Sequence, residues 1–155
     1  MRQLIIGFST PKKFRLASFL IRLFERSVYS HIYIKMMPNS ASGLDFPKVF
    51  QASHGDVNAQ HFDSFREKNH IFYEYKIEIT DAKYYEIASW LWLQLGKPYG
   101  FLQLIGIALK LKIGSKGFIC SELAGMVLKD HLGFDINKSL DYIGLNDIRE
   151  ILEKR

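Results

Sequence analysis

The chain has 155 residues, of which 48% are hydrophobic, 14% aromatic and 24% charged. That is enough for one well-packed core, too little for two full domains, and too apolar for a disordered segment. The net charge of +5 favours anionic partners, but the densest basic group, Lys12, Lys13 and Arg15, is short, so nucleic-acid binding is not expected.

A single cysteine excludes an internal disulfide and a Cys-rich zinc site, and it suits a reducing compartment. The apolar start over 1–8 is too short for a signal peptide, and Pro11-Lys12-Lys13 follows at once. The apolar stretch 101–108 is too short to span a bilayer. The expectation is a soluble, cytoplasmic, single-domain protein over 1–155 with no export signal of its own.

In chain order, 4–8 reads as a short buried strand, and Thr10-Pro11 opens a helix. On that helix Leu16, Phe19, Leu20, Leu23 and Phe24 share one face, with Arg15, Ser18, Arg22 and Arg26 opposite. Residues 30–36 read as a strand with Ile32, Ile34 and Met36 on one face and His31, Tyr33 and Lys35 on the other. A loop rich in Asn, Ser, Gly and Pro covers 38–47. Residues 48–53 form the next strand, with Val49, Gln51 and Ser53 on one face, ended by Gly55-Asp56. The stretch 57–69 reads as a long loop that borders the cleft, and 71–79 as a half-buried antiparallel strand.

Thr80 is a helix N-cap signal, and the helix it starts is stopped by Gly96 and Pro98. A further helical stretch covers 101–111, and 114–117 breaks the chain again. A helix beginning at about Cys120 runs towards His131, with Leu123, Met126 and Val127 as its apolar stripe. The last helix starts near Asn146 and presents Ile148, Ile151 and Leu152. Strands in one run and helices in another give an α+β domain, an antiparallel sheet packed with helices.

Phe118-Ile119-Cys120-Ser121-Glu122-Leu123 is the stretch richest in chemical information. It delivers the single cysteine to the first turn of an amphipathic helix, where unpaired N–H groups and the helix dipole favour thiolate over thiol. The same N–H groups suit a developing oxyanion. From position alone, a buried structural cysteine is the commoner case.

A thiolate mechanism needs a base. His31 is the best of the five histidines, provided that the Cys120 helix packs on its face of the sheet. Gln51 would orient the imidazole through its amide oxygen, with His54 as the competitor for that place. His54, His61 and His70 match no metal-ligand spacing, so neither a metal nor a cofactor is expected.

The ordered series Tyr29-Ser30-His31-Ile32-Tyr33-Ile34, Lys48-Val49-Phe50-Gln51-Ala52-Ser53, Gly96-Lys97-Pro98-Tyr99-Gly100 and Ile119-Cys120-Ser121-Glu122-Leu123 resembles a known family. It is similar to the circularly permuted branch of the NlpC-type papain-like cysteine hydrolases, the YiiX-like proteins. Lecithin–retinol acyltransferase is a more distant relative. The resemblance covers residues 28–151 and implies a permuted papain-like fold with the histidine strand early and the nucleophile helix late.

The resemblance also implies residue roles. Cys120 matches the nucleophile, His31 the base and Gln51 the third polar position, where relatives often carry Glu or His. Tyr99 matches an aromatic beside the cleft, and Tyr33 and Ser121 are further candidates for substrate contact. The implied activity is acyl transfer to water from an amide, as in cell-wall peptides or an isopeptide, or from a lipid ester or thioester. Direct cell-wall action would require delivery, for example in a virus particle or through a secretion system. Two other readings stand beside it. One is a non-catalytic binding module of the same fold. The other is a lipid acyltransferase at a membrane surface, with 101–113 as an interfacial helix.

Overall fold

The computed structural model describes residues 1–38, 46–53, 55–100, 106, 109–111 and 118–154. The expected helix over 101–111, the break at 114–117, most of the 38–47 loop and His54 lie largely or wholly outside the described residues.

The fold is α+β. Five strands form one antiparallel sheet: β1 (Arg2–Pro11), β2 (His31–Met36), β3 (Lys48–Ser53), β4 (Asp56–His61) and β5 (Asn69–Ile79). Their order is β4-β3-β2-β1-β5, which puts the first strand between the second and the last. Among the described residues there are five α-helices: α1 (Leu16–Glu25), α2 (Phe62–Lys68), α3 (Asp81–Gln94), α4 (Cys120–Met126) and α5 (Leu145–Glu153). A π-helical turn, Val127–His131, continues α4, and a short 3₁₀ turn, Leu140–Tyr142, leads towards α5.

Side-chain alternation divides the sheet into two faces. Leu4, Ile6, Phe8, Ile32, Ile34, Met36, Phe50 and Ala52 join the main core with α3, α4 and α5. Tyr33 and Val49 point the other way, into a smaller cluster closed by Phe65 of α2. A register shift where β1 pairs with β5, between Phe8 and Ser9, skips Phe72. Ile71 consequently leaves the face of Tyr73, Tyr75 and Ile77 and packs against the α2 cluster.

Two expectations are corrected. The stretch 57–69 is not a loop: it folds as β4 and α2. Asp56–His61 escapes sequence patterning because only Val57 is buried, while the pairing is set by the facing strand β3.

The second correction concerns α1, which starts at Leu16 and not at Thr10-Pro11, the end of β1; its apolar face is turned outward. Its one buried residue is Ser18, whose hydroxyl bonds the Thr10 hydroxyl at 3.2 Å and also meets that of Ser30. This hydroxyl cluster pins the helix to the end of β1 and the start of β2, leaving Leu16, Phe19, Leu20, Leu23 and Phe24 exposed.

Other boundaries follow the expected chemistry. The Thr80 hydroxyl accepts the Lys83 N–H at 3.2 Å and caps α3. Gly96 takes φ +81° and turns the chain out of that helix, a conformation that side-chain-bearing residues rarely adopt. Among the described residues no helix is long and apolar enough to cross a membrane.

Candidate functional site

The β2–β3 ladder runs from Met36–Lys48 to Ile34–Phe50 and stops there. Past this point the two strands separate, and two side chains on the same face bridge them. His31 Nε2 lies 2.6 Å from the Gln51 amide oxygen. The Gln51 amide nitrogen in turn donates to Asn58 Oδ1 at 3.2 Å, and Asn58 faces Gln51 directly across the β3–β4 ladder. Asn58 Nδ2 donates to the Ser53 carbonyl at 3.2 Å and to Asp56 Oδ1 at 3.3 Å.

This chain of amides has one consistent direction. Asn58 donates towards backbone and carboxylate, so its oxygen faces Gln51. Gln51 therefore presents its own oxygen to His31, and His31 must donate from Nε2. In the neutral ring the lone pair then lies on Nδ1.

Cys120 starts α4, with Ile119 in extended conformation just before it. The helix packs on the face that carries Ile32 and Ala52, not on the face of His31 and Gln51 that the sequence argument required. The sulfur meets the histidine strand at the backbone instead. It accepts the N–H of Ile32, the residue next to His31 and two positions past the end of the β2–β3 ladder. It also accepts the N–H groups of Ser121 and of Cys120 itself. These three donors favour the thiolate, but burial disfavours it more strongly, and the Glu25 carboxylate adds to burial. The thiol is pushed up to about 11. The helix start therefore does not by itself supply a thiolate at neutral pH. With the residue only 5% exposed, desolvation wins.

Tyr99 is brought to the same place by backbone lacing. Its N–H donates to the Gly55 carbonyl at 2.9 Å, at the β3–β4 turn. Phe118 N–H donates to the Pro98 carbonyl and Gly100 N–H to the Phe118 carbonyl, both at 2.8 Å, so 98–100 runs parallel to the lead-in to Cys120. Burial raises the Tyr99 phenol, and the nearby Cys120 sulfur raises it further, so it stays protonated. His31, Gln51, Asn58 and Tyr99 border a cleft of about 700 Å³ whose lining also includes Ala17 and Ile21 of α1.

The remaining candidates sit elsewhere. Tyr33 is fully buried beneath α2, where its hydroxyl donates to Glu74 at 2.7 Å, away from the cleft. The Ser121 hydroxyl is buried and donates to the Ile143 carbonyl at 2.7 Å, so only its backbone N–H faces the sulfur. Sequence reasoning missed Asn58, whose one visible signal was the turn-forming run Ser53–Asp56 close before it. It also missed Ser9, the cross-strand partner of His31, whose buried hydroxyl has no partner among the described residues. Among the described residues no group of three or more His, Cys, Asp or Glu side chains is placed to hold a metal ion.

Compared with known proteins, the sequence matches no family model and no curated protein sequence.

Proposed function

We propose that this protein is a cysteine acyl hydrolase of the permuted papain-like kind, with Cys120 as nucleophile, His31 as base and Gln51 as the group that orients the base. The supporting observation is the Ile32 N–H held on the Cys120 sulfur. It sets the thiol at the point where β2 leaves β3, one residue from an imidazole whose Nε2 is already engaged by Gln51.

In this reading His31 Nδ1 takes the Sγ proton as sulfur attacks a carbonyl carbon. The carbonyl oxygen becomes an oxyanion, to which the Cys120 N–H and the protonated Tyr99 hydroxyl donate. The imidazolium returns the proton to the departing amine or alcohol, leaving a thioester. His31 then deprotonates a water that attacks the thioester, releasing the acid and restoring the thiol. A thiol held well above its ordinary range does not need to exist as thiolate beforehand, because the proton moves during attack.

The same burial favours a second reading, a binding module in which Cys120 is a core residue. Acylation by an activated acyl ester at pH 7.5, read by intact mass, separates the two. For the hydrolase, Cys120 acylates and turns over, and His31→Ala slows acylation by roughly 10²–10⁴-fold. Slow acylation that is indifferent to His31→Ala supports the binding module and rejects the hydrolase.

A further inference from the structure

The α1 segment has an unusual surface. Phe14 is 77% exposed, Leu16 64% and Leu23 59%, and Phe19, Leu20 and Phe24 are exposed beside them. An isolated exposed apolar residue is ordinary, but a contiguous helical stripe of this width marks a docking face. The helix is held by its polar side, through Ser18, Thr10 and Ser30, so the stripe is a consequence of how the fold anchors it. Exposed Lys12, Lys13 and Arg15 lie just before the helix that carries the stripe, and exposed Arg26 just after it. The only acid between residues 12 and 28, Glu25, is turned inward, where its carboxylate accepts the Asn146 N–H.

We propose that α1 together with Phe14 docks this protein onto an anionic membrane surface, apolar side chains entering the headgroup boundary and the flanking cations meeting lipid phosphates. Cations at both ends of an apolar helical face complement an anionic bilayer. A second copy docked face to face would set these cations against their own equivalents, which argues against a symmetric dimer. Arg15, Ala17 and Ile21 belong to the wall of the cleft, so docking would set the mouth of that cleft beside the bilayer. The inference does not depend on Cys120 chemistry, and its test requires no turnover.

The test is vesicle co-sedimentation of the full chain with phosphatidylcholine vesicles containing or lacking 30% phosphatidylglycerol. Binding to the anionic vesicles is expected, weaker by at least tenfold on neutral ones and reduced by raising salt from 0.1 to 0.5 M. Phe19→Asp/Leu23→Asp is expected to raise the apparent Kd at least tenfold while circular dichroism and Tm stay near wild type. Both side chains are exposed, so folding is not at stake. Phe14→Trp is expected to be quenched by brominated lipid. No binding to anionic vesicles overturns the proposal, as does binding unaffected by the double substitution. Light scattering that shows a dimer abolished by Phe19→Asp/Leu23→Asp would also overturn it, assigning the face to a second copy.

Discussion

Asn58 and Gln51 face each other across the β3–β4 ladder, and the hydrogen bond between their amides decides which end of Gln51 meets His31. Without it the Gln51 amide can rotate and present N–H groups to an imidazole that needs an acceptor. Asn58→Ala is expected to slow Cys120 acylation roughly tenfold, about 1.4 kcal/mol, with little change in Tm. Asn58→Asp keeps an acceptor for the Gln51 nitrogen and should recover most of the loss. A purely structural role would show no such rescue. Acylation rates of the three proteins at one pH check this.

Gln51 offers a neutral acceptor where a carboxylate would stabilise an imidazolium. Gln51→Glu should favour charged His31, and through it the Cys120 thiolate. Asn58 can turn its amide to donate to the new carboxylate. The pH midpoint of iodoacetamide alkylation, counted by mass on the single cysteine, should fall from about 11 towards neutrality. An unchanged midpoint would mean that the imidazole and the sulfur do not sense each other.

Burial of Cys120 links stability to alkaline pH. Its folded-state value of about 11 exceeds the ordinary 9.0, so below pH 9 the thiol is neutral in both states and costs nothing. Between 9 and about 11 the unfolded chain ionises first, and stability falls. The loss is about 3 kcal/mol in full. Urea unfolding of wild type and Cys120→Ala at pH 8 and pH 10.5 should show this difference, with the alanine variant less sensitive to pH.

Beneath α2, Lys35 and Tyr33 share one oxygen of Glu74, at 2.6 and 2.7 Å. The Lys35 side chain is 8% exposed, so removing its partner strands a buried ammonium. Glu74→Ala is expected to cost about 3 kcal/mol or more. Glu74→Gln, which still accepts from Tyr33, should cost less. Denaturant midpoints order the variants.

Most of the fold was legible because its patterns come from burial. Strand β3 was read to the residue, and the Thr80 cap and Gly96 exit are local chemistry that needs no tertiary context. The outward turn of the α1 stripe was not legible, because an apolar stripe is ordinarily the buried one and nothing local reveals that Ser18 will find Thr10 and Ser30. Strand β4 was hidden for the converse reason: Asn58, Ala59 and Gln60 carry no burial signal, yet pair with a buried neighbour strand. The meeting of His31 and Gln51 was legible only on the condition that β3 lies beside β2 with both side chains on one face, and the β2–β3 register meets that condition. The side on which α4 would pack was beyond parity, as it depends on which face Leu123 and Ala124 find.

The chain that leaves α3 doubles back along β4. Val57 N–H donates to the Lys97 carbonyl and Gly96 N–H to the Val57 carbonyl, both at 2.8 Å, and Asp56 bridges to Pro98. Main-chain groups near the start of that rim are thus already spoken for. An extended peptide entering the neighbouring cleft cannot add as a sixth strand at Asp56 and Val57, where the chain itself already takes that place.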